Sequence, residues 1–230
     1  METYKIILDE DKLRQFIEWL PDCAEHEQYY YCLMSRKKYE PTMSWIKSDK
    51  SQLVRGTSTK EKLFDKISQM ECKIGAYKHG IHTVPQTALA LYISVNPRNL
   101  QKAGLRSIGR LAELIENNNN TSNPHQEVLS QIQKTAGVKK YITFDVDQKD
   151  EVILQEIKKI VDGKCDVIET RGGYHIFIRK TEIASICDKM WYEKVKKYSD
   201  QSGDILSPIV GCVQGDTSPK FLRINNTDLV

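Results

Sequence analysis

The sequence has no apolar run near the roughly 18 residues that a membrane-spanning helix needs. It also lacks a Cys-x-x-Cys pair among its six cysteines, and no secretory signal peptide precedes them. Cys23, His26 and Cys32 lie close together, but no second ligand pair follows at zinc-finger spacing. We therefore expect no membrane partner, reduced cysteines, a cytoplasmic location and no structural zinc.

A large excess of one charge is also missing, since 34 Lys and Arg residues face 31 Asp and Glu residues for a net charge of +3. The distribution is nevertheless uneven. Residues 36–78 contain eleven Lys or Arg against five Asp or Glu. This stretch predicts attraction to a phosphate backbone, and a solvated basic face is the equally open interpretation.

The chain is long enough for one large or two small domains, and 40% hydrophobic residues suffice for a buried core. The clearest low-complexity break is the Asn-, Thr- and Ser-rich stretch at residues 117–123. It predicts an N-terminal lobe in residues 1–120 and a second lobe in residues 121–230. A surface loop inside one domain is the alternative.

Apolar periodicity predicts an α+β fold: a split β-α-β (RRM-like) lobe with a mainly antiparallel sheet, preceded by an N-terminal α/β lobe. In the second lobe we predict strands at residues 138–146, 166–170, 174–178, 208–213 and 220–224. We predict helices at residues 151–161 and 182–198. In the first lobe, residues 99–116 predict a long amphipathic helix. Its apolar side would carry Leu105, Ile108, Leu111, Leu114 and Ile115.

The acid pair Asp145 and Asp147 ends the apolar strand predicted at residues 138–146. Side chains at i and i+2 of a strand project from the same face, roughly 6 to 7 Å apart. Carboxylates in an apolar strand need a cation or dense hydrogen bonding. Because Mg²⁺ keeps several waters and is usually completed by substrate phosphates, two acids suffice beside a nucleotide. A strand end that merely reaches solvent is the alternative.

The second motif is Arg171-Gly172-Gly173-Tyr174-His175. Glycines tolerate the positive φ angles of a tight hairpin turn and allow a phosphate to approach the backbone. His175 follows the turn and is placed to donate a hydrogen bond to a phosphate oxygen, with Arg171 as a second cation. A histidine satisfied within the hairpin and a solvated arginine are the plainer interpretations.

These two motifs resemble those of the archaeo-eukaryotic primase superfamily, the primase-polymerase catalytic cores, over roughly residues 138–224. That family has an Asp-x-Asp strand, a Ser-x-His turn and a later acid. Asp145 and Asp147 match the first motif, and Gly173-Tyr174-His175 matches the second with glycine in place of serine. For the later acid we prefer Asp204, which precedes an apolar, Pro-containing segment, over Asp216 or Asp200.

The resemblance implies a template-directed nucleotidyltransferase. Asp145, Asp147 and Asp204 would hold two Mg²⁺ or Mn²⁺ ions for in-line attack by a 3′-hydroxyl, and His175, Arg171 and Gly173 would contact the triphosphate. Single-stranded or primed DNA would lie on the basic N-terminal lobe, for which the candidate phosphate contacts are Arg36, Lys37, Lys38 and Arg98. A helicase or accessory primase subunit is an expected partner, and phage, plasmid or mobile-element replication is an expected setting.

Two other functions stay open. A replication-initiator nuclease would need a paired-histidine strand and a tyrosine nucleophile, whereas His175 is the one histidine in a motif here. A nucleic-acid-binding module with a degenerate site would bind no metal. The choice between deoxy- and ribonucleotides is also open, as is priming from free nucleotides versus extension alone.

Overall fold

The computed structural model describes residues 2–118 and 123–229, so residues 119–122 of the predicted break lie outside the described residues. The fold is mixed α+β. Its helices are α1 (Glu10–Trp19), α2 (Leu63–Ser68), α3 (Leu100–Glu116), α4 (Pro124–Lys134), α5 (Glu151–Ile160) and α6 (Trp191–Lys196). Across the described ranges, none of them combines the length and hydropathy required to cross a bilayer.

The strands pair antiparallel into two large sheets and one small hairpin. They are β1 (Glu27–Arg36), β2 (Lys50–Ser58), β3 (Lys78–His79), β4 (His82–Thr83), β5 (Leu89–Ser94), β6 (Arg98–Asn99), β7 (Tyr141–Val146), β8 (Asp166–Glu169), β9 (Tyr174–Arg179), β10 (Gln201–Gly203), β11 (Leu206–Pro208), β12 (Lys220–Ile224) and β13 (Thr227–Asp228). The first sheet has the order β11-β5-β1-β2, with β6 also on β1. The second has the order β10-β7-β9-β8-β12-β13, and β3 pairs with β4.

The main hydrophobic core lies between the two sheets. Trp19 of α1 is at its centre, with its ring centroid 5.1 Å from those of Tyr141 and Phe177 and 5.2 Å from that of Phe221. Because strand side chains alternate, the face of β7 and β9 that carries Tyr141 and Phe177 also carries Asp145 and His175 further along. The polar residues therefore face the first sheet, at the edge of the shared core.

The opposite face of the second sheet is covered by α5 and α6. Phe144, Val146 and Ile176 project to this side and pack against Leu154 and the other apolar residues of the two helices. The side chains that β7 and β9 project to this face are apolar or aromatic, so the charged groups of these two strands lie on the face toward the first sheet.

Two sequence-based element predictions are wrong in detail. Of the helix predicted at residues 182–198, only α6 and a single 3-10 turn at Ile183–Ser185 form. The strand predicted at residues 208–213 ends at Pro208 and joins β5 in the first sheet, rather than closing beside β12. Gly211 has φ +81° and a Cβ there would lie 2.5 Å from the Asp9 carbonyl oxygen, so the chain must turn against α1.

The predicted division at residue 120 also needs correction, because sheet membership does not follow it. β11 belongs to the first sheet although it comes from the second half of the chain. Ile132 of α4 packs on the outer face of β1 and β5 with Tyr30 and Tyr92. Since the main core also draws residues from both halves, the molecule has two sheets around one core rather than two independent lobes.

The apolar side predicted for α3 is largely in solvent. Leu105, Ile108 and Ile115 are 69%, 68% and 78% exposed, whereas Leu114 is only 7% exposed. The buried stripe of α3 consists instead of Ala103, Ser107 and Leu114. The helix forms as predicted but is rotated relative to the expected burial.

Candidate functional site

The candidate site begins with a pair of directly opposed residues on β7 and β9. Asp145 lies opposite His175 in the strand register, and His175 Nε2 is 3.2 Å from Asp145 Oδ1. The other ring nitrogen, Nδ1, is 3.0 Å from the hydroxyl of Ser207 in β11. His175 is buried. Its ring is therefore held at both nitrogens and links the second sheet to the first.

The Asp145 carboxyl group is kept ionised by its neighbours. Burial acts to raise its pKa, but the hydrogen bond and charge of His175, together with the charges of Lys38 and Lys50, outweigh burial and lower the pKa below its usual value. Asp145 is only about a fifth exposed at its side chain. An ionised carboxylate is the form of this side chain that can ligate a metal cation.

Asp147 follows β7 and is exposed. Its side chain lines the same cavity as Asp145 and His175, as strand alternation predicts. Its backbone N–H donates to Asp200 Oδ2 at 2.9 Å, which fixes the chain as it leaves the strand. The two acids that carry the sequence hypothesis are therefore brought together with His175.

This cavity has a volume of about 790 Å³ and is lined by residues of both sheets. Across from the acid pair, it is lined by Arg36, Lys38 and Lys50. Arg36 ends β1 and stands opposite Lys50 at the start of β2. Lys50 was not among the predicted residues, because its position depends on the register of β1 and β2. The cavity thus has carboxylates on one side and three cations on the other.

The four predicted phosphate contacts differ in availability. Arg36 is buried, donates from Nε and Nη2 to Asp49 at 3.1 and 2.9 Å, and donates from Nη1 to the Tyr92 hydroxyl. Lys37 donates to the Ile46 carbonyl at 3.0 Å and does not line the cavity. Lys38 is exposed and lines it. Among these three, Lys38 is the most available to a ligand.

Arg98, the fourth, is buried beside Asp204. The two form an ion pair in which the side chains are 3% and 12% exposed, and Asn96 also donates to Asp204 at 3.3 Å. Both Arg98 and Asp204 line the cavity. Arg98 Nε is buried with no hydrogen-bond partner among the described residues. A buried donor without a partner costs about 1–3 kcal/mol.

Each of the three acids considered as the third metal ligand has a hydrogen-bond or ion-pair partner within the protein. Asp204 pairs with Arg98, Asp200 accepts from the Asp147 amide, and Asp216 pairs with Arg171 at 2.6 Å. In the part of the chain that the structure describes, no group of three or more His, Cys, Asp or Glu residues is placed to hold a metal ion. The three-acid centre is not assembled, and Asp145 and Asp147 remain as the two candidate ligands.

Arg171 and Gly173 lie beside the cavity rather than in its lining, to which Gly172 belongs. The Arg171 guanidinium stacks over the Tyr39 ring at 4.7 Å. Neither Gly172 nor Gly173 has a positive φ, so the prediction that these glycines serve a positive-φ turn is wrong. A Cβ at Gly173 would lie 1.8 Å from the Val146 carbonyl oxygen. Glycine is required because the hairpin turn crosses the end of β7 in direct backbone contact.

This crossing explains why serine cannot stand at position 173. The hydroxyl that reaches His175 comes instead from Ser207, 32 residues further along the chain. No local sequence pattern indicates this contact, because it depends on the pairing of β11 with β5 in the first sheet.

The two acids fit a hard divalent ion. They supply oxygen ligands from one strand into a cavity large enough for waters and a polyphosphate, the donor set Mg²⁺ usually takes from proteins. Comparisons with protein-family models, with curated proteins and with solved structures each found no match to this chain. The functional argument therefore depends on the site itself.

Proposed function

We propose that this chain is a template-directed nucleotidyltransferase of the primase-polymerase type, which joins nucleoside triphosphates to a 3′-hydroxyl. The observation that carries the proposal is the convergence of Asp145, Asp147 and His175 on one cavity whose other side is cationic. The strand order β10-β7-β9-β8, with α5 and α6 on one face, supports the finer description of this half as a split β-α-β, RRM-like core.

The side chains have distinct roles in this proposal. Asp145 and Asp147 supply carboxylate ligands for Mg²⁺ or Mn²⁺, and His175 orients Asp145 through its 3.2 Å contact. Such ions, when bound, lower the pKa of the attacking hydroxyl and neutralise the departing pyrophosphate. Lys38, Lys50 and the unpartnered Nε of Arg98 attract the triphosphate into the cavity.

Asp204 joins the metal ligands only if Arg98 releases it. An incoming triphosphate offers Arg98 an alternative anion, so substrate binding and release of Asp204 would favour each other. The partners that go with this function are nucleoside triphosphates, single-stranded or primed DNA, and a helicase or accessory primase subunit. The cytoplasm, with replication of a phage, plasmid or mobile element, is the setting we propose.

The test is extension of a labelled primer on a template, with Mg²⁺ or Mn²⁺ and with either sugar type. Asp145→Asn and Asp147→Asn keep the side-chain shape but remove a charge facing the cavity, and each is expected to lower incorporation by at least ~100-fold. The matched control is Asp65→Asn on the exposed surface of α2. Full incorporation by both cavity variants would refute the assignment.

A non-catalytic nucleic-acid-binding module is the second candidate, favoured by the ion pair that occupies Asp204. Calorimetry with Mn²⁺, with and without a deoxynucleoside triphosphate, separates the two. The polymerase proposal expects Mn²⁺ binding that strengthens with the triphosphate and is lost in Asp145→Asn. No Mn²⁺ binding by the natural chain under either condition favours the module. The nuclease candidate gains no support, since His175 is the one histidine among the cavity-lining residues of the described chain.

A further inference from the structure

A stacked aromatic pair lies on the surface outside the cavity. The rings of Trp45, in the connection between β1 and β2, and His82, at the start of β4, have centroids 4.6 Å apart and planes inclined by 17°. Both residues are exposed. Ile81, between β3 and β4, is 89% exposed beside them. Aromatic and apolar side chains are thus held in a fixed arrangement in contact with water.

His79, which pairs with His82 across the β3-β4 hairpin, ties this hairpin to the first sheet. His79 Nε2 is 2.8 Å from the Ser35 hydroxyl, and its Nδ1 is 3.5 Å from the Ser51 hydroxyl. Ser35 and Ser51 stand at the ends of β1 and β2 that bring Arg36 and Lys50 to the cavity, and Ser51 lines the cavity itself. The aromatic pair is therefore fixed at the rim of the candidate site.

Positive charge around the pair is not neutralised. Within the described ranges, the ion pairs closer than 4.0 Å do not involve Lys37, Lys38, Lys47, Lys50 or Lys78. Of the acids close to these lysines in sequence, Asp49 pairs with Arg36, whereas Glu40 accepts from the neutral hydroxyls of Thr42 and Thr87 and keeps its charge, so the lysines outnumber the free carboxylate. The excess of basic residues in this part of the chain is thus a real surface charge.

We propose that Trp45, Ile81 and His82, with Lys37, Lys47 and Lys78, form a platform for single-stranded nucleic acid, here called the Trp45 platform. Unpaired bases stack on exposed aromatic rings, while lysines attract the backbone phosphates. A duplex offers no free base faces along its length, so the aromatic pair favours a single strand. The platform would hold the template of the proposed polymerase, but binding of a strand there requires no catalysis.

The test measures binding of a labelled oligonucleotide of about 16 nucleotides to the full chain by fluorescence anisotropy, without metal or nucleotide. Trp45→Ala is expected to weaken binding about tenfold or more, and Trp45→Phe to retain most of the affinity because a ring remains. The control is Ile108→Ala, which removes an exposed apolar side chain from α3, outside the platform. Thermal unfolding of each variant verifies the fold.

The lysines are tested through salt. Each phosphate contact to a single strand contributes about 0.7 to the slope of log affinity against log salt concentration. Lys47→Ala and Lys78→Ala are each expected to reduce the slope by about that amount, whereas Lys102→Ala on the exposed side of α3 leaves it unchanged. DNA and RNA strands of the same sequence show whether the sugar contributes.

Wild-type affinity in Trp45→Ala, or equal affinity for a duplex, would overturn the platform. Oligonucleotide binding is also measured for Trp45→Ala combined with Asp145→Asn. Because that protein is expected to have lost the proposed nucleotide incorporation, any change in affinity reports on the platform alone. A chain that binds single strands through Trp45 but extends no primer keeps the platform and loses the polymerase proposal. If the chain extends primers but Trp45→Ala binds the oligonucleotide with normal affinity, the polymerase proposal stands and the platform is refuted.

Discussion

His175 makes two contacts that lead to different sheets, through Nε2 to Asp145 and through Nδ1 to Ser207. In the neutral ring, Nε2–H donates to the carboxylate and Nδ1 accepts from the serine hydroxyl. Neither nitrogen is left over for a phosphate. The first role of His175 is therefore to fix the direction of the Asp145 carboxylate, and contact with a triphosphate would require giving up one of the two partners.

Gly173 offers a sharp test of how closely the turn before His175 packs. Gly173→Ser would place a Cβ 1.8 Å from the Val146 carbonyl oxygen, so the strands must separate. We expect a loss of about 3 kcal/mol or more in the free energy of unfolding, measured by urea denaturation. The matched variant Gly172→Ala meets nothing closer than 3.8 Å and should be nearly neutral. Equal stability of the two variants would contradict this account.

Single residues also show where prediction from sequence stops. Asp145 and Asp147 follow from alternation along one strand, and His175 from the turn beside it, because these signals are local. The pairing of Arg98 with Asp204 joins residues 106 positions apart in the chain. No local pattern records such a contact, so the preference for Asp204 as a metal ligand could not take its buried partner into account.

At the scale of elements, α3 shows that periodicity predicts a helix better than it predicts which side is buried. The pattern of leucines and isoleucines predicts the helix correctly, and Asn99 caps it by accepting from the Lys102 amide. The core nevertheless takes the stripe with small residues, Ala103 and Ser107, because these allow close packing against α4 and β6. Which side of α3 is buried depends on the surfaces of α4 and β6, and the sequence of α3 alone gives no information about them.

Two variants of α3 measure this difference. Leu114→Ala removes a side chain that is 7% exposed and should lower the free energy of unfolding by about 2–5 kcal/mol. Ile108→Ala removes one that is 68% exposed and should change it by less than about 0.5 kcal/mol. Thermal and urea unfolding of both variants gives the comparison. A larger loss for Ile108→Ala would mean that the exposed side of α3 is covered in solution.

At the scale of the whole molecule, the candidate site exists because two sheets meet. The second sheet supplies Asp145 and His175, and the first supplies Arg36, Lys50 and the Ser207 hydroxyl. Strand and helix types were predictable along most of the chain. The assembly was not, since β11 comes late in the sequence and pairs with β5 from the first half.

A chain cut within residues 119–122 tests this dependence. Among the described residues, the first part supplies 20 of the buried residues of the shared core and the second supplies eight, and the first part also loses the strand beside β5. We expect neither part to unfold cooperatively by circular dichroism when expressed separately, and cooperative unfolding to return when the two are mixed. Cooperative unfolding of residues 1–118 alone would show that the first sheet is an independent domain.

The passage of β11 into the first sheet also limits how such a chain could change by gene shuffling. A chimera that kept the first half and imported another second half would receive a foreign neighbour for Ile93, and the imported β11, which carries the Ser207 contact of His175, would have to pair with a foreign β5. Exchange of second halves would thus disturb the position of Ser207, and with it the His175 ring, before it altered Asp145 or Asp147. Because the three-residue strand β11 joins the two halves of the chain at this site, we expect both halves to be inherited together.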